Sequence, residues 1–281
     1  MKLRNLFVIC IFALALPVFS EGEISDFTNQ TVYEFITTRV RLKSWEDQAA
    51  VEKIAEIRAE TMEKLKSVAV DLEQEECILE SLFFTETYEH LIKAETRGDL
   101  RVGMKNLMKR NMDCINSRKH EKISKWMYLS AGDVTSYYMT RSIAATFFYG
   151  FKVKGYYESA LDKDSGLTSA NTSLGSWLFY APAPIGSNKR AEKHYKSGLK
   201  GAKTDGEKYM AFQYLSQLYY EQKKISKAEE YLQKAYDLEL GHKELDKIRA
   251  CNKAGYSLFQ YNRNRAGIDE KIPESEKQEE D

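Results

Sequence analysis

A chain of 281 residues has the length for one large domain or two small ones, and a hydrophobic content of 43% excludes global disorder. Lys and Arg number 42 against 42 Asp and Glu. That balance supplies no basic excess to neutralise phosphates and argues against a nucleic-acid binder.

The first twenty residues are unlike the rest. Lys2 and Arg4 form a short positive region, "LFVICIFALALP" at 6–17 is apolar throughout, and "VFS" at 18–20 ends in a small residue. This is the pattern of a secretory signal, shorter than the ~20 apolar residues of a membrane span. Cleavage is expected to leave a mature chain starting at Glu21, without stable membrane insertion, in the periplasm or outside the cell; the alternative is a segment retained as an N-terminal anchor. Cys10 lies inside the apolar run, so the lipoprotein arrangement of a cysteine just after it is missing.

Helical patterning dominates from there, and only four prolines interrupt the whole chain. A short helix is expected over 32–42. Ser44 is placed as the N-cap of a long helix, with Glu46 and Asp47 in its first turn. Ile54, Thr61, Leu65, Val68 and Leu72 mark one face of it. No glycine or proline falls between Ser44 and Arg97, so a second helix is expected to follow through "CILESLFFTETYEHLIKAE". Further helices are expected over 100–117 and from 123 into "ATFFYGFKVKGYYESALDKDSG", with an interruption near Thr140. The series continues through Trp177 and over 189–203, 206–222, 226–238 and 243–261. The tail at 263–281 has almost no core-forming residues and is expected to be disordered.

"KKISKAEEYLQKAYDLEL" at 223–240 raises the question of an internal repeat. With Tyr209 as the first position of a unit of about 34 residues, Phe212, Leu215, Ser216 and Tyr219 fall on its first helix. Ala228, Leu232 and Ala235 fall on its second. Small residues let two antiparallel helices approach, and large ones fill the gaps between neighbouring pairs. Ala191, Tyr195 and Gly198 repeat the second-helix pattern 37 residues earlier. "WMYLS" at 126–130 has the spacing of a first helix, and "KGYYESALDKD" at 154–164 closes like a second. "GDLRVGMKNLMKRN" is a weaker copy.

These positions resemble the tetratricopeptide repeat. Within that superfamily, "SLGSWLFYAPAPIGSNKRAEKHYKSGL" at 173–199 is similar to the repeat proteins associated with bacterial TRAP transporters. It is similar too to a eukaryotic group of microtubule-dynamics regulators. The transporter likeness implies an exported protein that hands a small organic ligand to a solute-binding partner, although this chain lacks the lipoprotein signal of that group.

Eleven aromatic side chains fall within the 44 residues from Tyr137 to Tyr180. Most are expected to pack between helix pairs. The functional alternative is an aromatic-lined groove, with Tyr138, Trp177 and Tyr180 as its walls. "APAPIGSN" at 181–188 reads either as a ligand lid or as an elongated connector. No nucleophile elbow, phosphate loop or His-Glu-x-x-His occurs, so an enzyme is not expected. Paired carboxylates such as Glu75 and Glu76 fall in a background of solvated helix charge. Histidines 90, 120, 194 and 242 are scattered and no cysteines form a C-x-x-C pair, so neither metal nor cofactor is expected. Cys77 sits near the start of one helix and Cys114 near the end of the next, ends that an antiparallel pair brings together as a candidate disulfide. Cys251 would remain a free thiol.

The sequence therefore predicts an all-α, right-handed solenoid of antiparallel helix pairs. Residues 21–122 form an N-terminal helical cap with a degenerate repeat, and 123–262 form the repeat region. The expected function is an exported scaffold holding a protein partner on the face built from first helices. The alternative is a periplasmic accessory protein binding a small organic ligand for a TRAP-type transporter.

Overall fold

The computed structural model describes residues 23–91, 97–139, 143–182 and 184–265. The leader, the interruption expected near Thr140 and the tail beyond 265 lie outside these. Every regular element described is helical: α1 (Asp26–Leu42), α2 (Asp47–Val68), α3 (Leu72–Leu91), α4 (Arg97–Asn116), α5 (Lys125–Met139) and α6 (Ile143–Lys163) are followed by α7 (Thr168–Tyr180), α8 (Asn188–Gly201), α9 (Asp205–Glu221), α10 (Ile225–Tyr236), α11 (Lys243–Lys253) and α12 (Leu258–Arg265).

The boundaries follow from local capping chemistry. α1 begins six residues earlier than expected because the Ser25 hydroxyl accepts the Thr28 N–H. Ser44 does not cap α2. Its N–H donates to Arg41 and that of Trp45 to Leu42, closing the turn after α1, and α2 starts at Asp47. α2 and α3 separate without glycine or proline because two side chains take over the backbone donors. Asp71 accepts the Gln74 N–H at 3.1 Å, and Glu75 accepts those of Val70 and Asp71 at 2.7 and 3.0 Å. The single helix expected over 243–261 is two, divided by a turn at Ala254 and Gly255.

Successive helices pack as pairs: α3 with α4, α5 with α6, α7 with α8 and α9 with α10. The first members, α3, α5, α7 and α9, also pack against one another in chain order. Leu215, Ser216 and Tyr219 on α9, with Ala228, Leu232 and Ala235 on α10, are at most 1% exposed. Ala191 and Tyr195 on α8 are fully buried, whereas Phe212 is half-buried against Tyr231. Two pairs close on a glycine facing a tyrosine. A Cβ on Gly132 would lie 2.4 Å from the Tyr157 ring, and one on Gly175 would lie 2.5 Å from Tyr195. In α5 the small residue facing the second helix is thus Gly132. Ser130, the small residue of "WMYLS", instead lines a hollow beside α1.

α1 crosses the first-helix stack. Phe35 meets Phe83 of α3 edge-on at 4.9 Å, Asn29 accepts the Trp126 indole N–H of α5 at 2.8 Å, and Arg39 reaches Met210 of α9. Gly206 opens α9 to α1 so closely that a Cβ there would lie 2.6 Å from the Thr37 Cα. Val32, Phe35, Ile36, Val40 and Leu42 are at most 3% exposed. At roughly 1.5–3 kcal/mol of gross burial for each large apolar side chain, the seat is worth on the order of 10 kcal/mol before entropy. α1 thus packs, chiefly against α3 and α9, on the face where the sequence placed a partner.

Cys77 and Cys114 stand together as buried thiols without a disulfide between them, and Cys251 is buried elsewhere. A hydrogen bond from Cys114 pulls the Cys77 thiol below its usual range, against the opposing effect of burial, while the same bond and burial push Cys114 far up. Protein recovered from an oxidising compartment, denatured without reduction, is expected to titrate one thiol. Three reactive thiols would rule out the bridge.

Candidate functional site

The C-terminal ends of α5 and α7 and the N-terminal half of α6 form an aromatic edge. Tyr138 is half-buried, edge-on to Tyr149 at 6.1 Å, with the Arg101 guanidinium 5.6 Å above its ring. The Trp177 indole donates to the Gly150 carbonyl at 2.9 Å, and its ring lies 6.0 Å from Phe151. Tyr180 packs against Phe179 and Phe259 at 5.1 and 5.8 Å. The three expected wall residues thus share an edge, each in a separate contact, and none of them lines the hollow beneath α1 or the open trough beside Ser44.

The bare surface belongs to other residues. Phe147, Phe148 and Phe151 are 83%, 75% and 66% exposed, although most of the aromatic cluster was expected to pack between pairs. Among the described side chains of this half-helix, Ala145, Tyr149 and Val153 turn inward, at the four-residue spacing of a single face. The run "ATFFYGF" carried the signal: it holds more large apolar residues than one face of a surface helix can bury.

"APAPIGSN" is a connector. Ile185 and Gly186 donate to the Pro182 carbonyl, Ser187 donates to Leu178, and the Ser187 hydroxyl caps α8 by accepting the Arg190 N–H. His194 is half-buried beside Asn171, with burial lowering its pKa.

A second feature lies beneath α1. Arg39, Ser81, Thr85, Ser130, Asp133 and Ser169 are among the residues lining a hollow of about 30 Å³ between α1, α3, α5 and α7. That is room for about two waters, far below the ~300 Å³ of a small-molecule pocket. The Ser169 hydroxyl is buried there without a protein partner, a suitable anchor for such a water. A broader trough of about 610 Å³ between Ser44 and residues 239–246 opens widely to solvent.

Burial pushes the Asp133 carboxyl up to about 6, partly countered by the Arg39 charge and by hydrogen bonds from Tyr157 at 3.0 Å and Ser173 at 3.2 Å. Nearby, burial opposes the charge on Lys43, but Glu244, Glu86 and Glu89 outweigh it and raise its pKa. Burial likewise opposes ionisation of Glu86, where the His90 imidazole 3.5 Å away and the charges of Lys43 and Arg39 prevail and lower it. These groups neutralise one another across the α1 seat.

Asp133 makes this seat pH-dependent. A carboxyl whose folded pKa lies above its unfolded value binds more protons in the folded state, so its contribution weakens as pH rises from about 4 through 6. Asp133→Asn keeps an acceptor for Tyr157 and Ser173 and removes the titration. The variant is expected to gain on the order of 1–3 kcal/mol relative to the parent between pH 4 and pH 7. Urea unfolding at both pH values measures this, and an unchanged difference between the two proteins would refute it.

Among the described residues no three of His, Cys, Asp and Glu gather as a metal site, and no helix is long and apolar enough to cross a membrane. No protein-family model matches the chain, and no curated protein matches it.

Proposed function

We propose that this chain is an exported docking scaffold: a right-handed solenoid of tetratricopeptide-like helix pairs that fixes an apolar edge against another component of the cell envelope. The pairwise packing and the small-against-large contacts at Gly132–Tyr157 and Gly175–Tyr195 support the repeat reading. The observation that carries the docking role is the exposure of Phe147, Phe148 and Phe151 on one half-helix. A contiguous apolar patch on an otherwise well-packed surface marks an interaction site. Occupation of the first-helix face by α1 supports docking at this edge over capture of a segment on that face. The hollow under α1 is far smaller than an organic-ligand pocket and the trough of about 610 Å³ is open to solvent, which supports docking over carriage of an organic ligand.

A photo-crosslinking p-benzoylphenylalanine in place of Phe148 tests this in intact cells. An adduct at that position, with none from the same probe at the exposed Glu63, is the expected result. A protein that stays free of adducts at 148 is not docked there.

A further inference from the structure

Resting on that docking reading, we infer that the component at the edge is an anionic lipid surface. Phe147, Phe148 and Phe151 of α6 enter the acyl boundary, while Arg101, Lys105 and Lys109 of α4 and Lys152 of α6 meet the headgroups.

The shape of the edge favours a fluid phase. From 144 to 152, Ala144, Thr146, Phe147, Phe148, Phe151 and Lys152 are all exposed, so this half of α6 projects from the fold. Adjacent residues on a helix point about 100° apart. Although their Cα–Cβ directions diverge, the Phe147 and Phe148 rings meet edge-on 5.7 Å apart, and with the exposed Phe151 they make a projecting apolar ridge around which acyl chains can close. Aromatic side chains on a surface-lying helix are suited to this boundary.

The charge is complementary. Arg101, Lys105 and Lys109 recur every four residues and are exposed on α4, with the 59%-exposed Val102 beside them. α4 and α6 meet where the Lys152 ammonium reaches Met112 at 3.6 Å and Tyr149 packs against the cluster formed by Met104, Met108 and Val134. Neither Lys105 nor Lys109 has an ion-pair partner among the described residues, and no Asp or Glu occurs from Val134 to Tyr157. On α4 only Asp99 and Asp113, near the two ends, offset this charge. A second copy of the chain is a poor occupant, because a two-fold contact would press two basic surfaces together. Polybasic and apolar groups side by side match a membrane with anionic headgroups.

The test is co-sedimentation of the mature chain from Glu21 with phosphatidylglycerol vesicles and with phosphatidylcholine vesicles. Binding to the anionic vesicles is expected, falling steeply at about 1 M salt, where the Debye length is about 3 Å. The variant Phe147→Ser/Phe148→Ser/Phe151→Ser is expected to lose binding on the order of a hundredfold. Lys105→Glu/Lys109→Glu is expected to lose roughly tenfold or more. These positions are exposed, and unchanged helical circular dichroism confirms that each variant folds. Equal binding to both vesicle types, or a triple serine variant that binds like the parent, overturns the inference. Absence of vesicle binding together with a protein adduct at position 148 overturns the lipid assignment and leaves the docking reading standing. Absence of both overturns the two together.

Discussion

Glu75→Ala is expected to cost about 4 kcal/mol and to lower Tm by roughly 10 °C, the largest effect of any single substitution considered for this chain. Glu75 is 0% exposed, so its charge is not part of a solvated helix face, as the sequence suggested for it and Glu76. One carboxylate oxygen accepts the hydroxyls of Ser25 and Thr28 at the start of α1. The other accepts the backbone N–H groups of Val70 and Asp71 between α2 and α3. Removing it orphans four donors at the junction of three helices. The two hydroxyls can rotate toward other acceptors, but the backbone groups cannot, which is why the loss is large. Glu75→Gln should lie between parent and alanine variant, because it keeps one acceptor and turns a donor toward donors. Thermal melts of the three proteins decide the matter, and a loss below about 1 kcal/mol for the alanine variant would show that water replaces the carboxylate.

Gly175→Ala is expected to cost about 3 kcal/mol and close to 8 °C in Tm by overpacking α7 against α8. The added methyl would lie 2.5 Å from a Tyr195 ring carbon. That ring cannot step aside easily, being fully buried, stacked on Tyr214 at 5.3 Å and hydrogen-bonded to Ser176 at 3.1 Å. The effect should depend on the ring. Tyr195→Leu opens space at the contact, so Gly175→Ala is expected to be much less damaging in the Tyr195→Leu background. A double-mutant cycle by urea unfolding measures this coupling. Additive losses would mean that glycine serves the helix backbone there and not the approach of the pair.

The sequence by itself determined the all-helical class and the α9–α10 unit. Leu215, Tyr219, Ala228, Leu232 and Ala235 recur at the spacing of helix faces, and such periodicity is a property of adjacent residues. Local caps were not legible in this way. Ser44 was the cap expected for α2, whereas Ser25 before α1, Asp71 before α3 and the reciprocal Thr204–Glu207 box before α9 do the capping, and many other Ser, Thr and Asp residues offer the same local chemistry. Tertiary structure decided what those helices touch. The crossing of α1 over α3, α5 and α9 depends on Gly206 meeting Thr37, two residues 169 positions apart that share no periodic signal. The burial of Glu75 arises the same way, because a helical residue shows its face but not its neighbour. The aromatic edge marks the boundary between the two kinds of information. The residues from 137 to 180 declared an aromatic surplus. Only the packing of α5, α6 and α7 decided that Tyr138 and Trp177 turn inward while Phe147, Phe148 and Phe151 face out, since a half-helix in contact along one face leaves every other face bare.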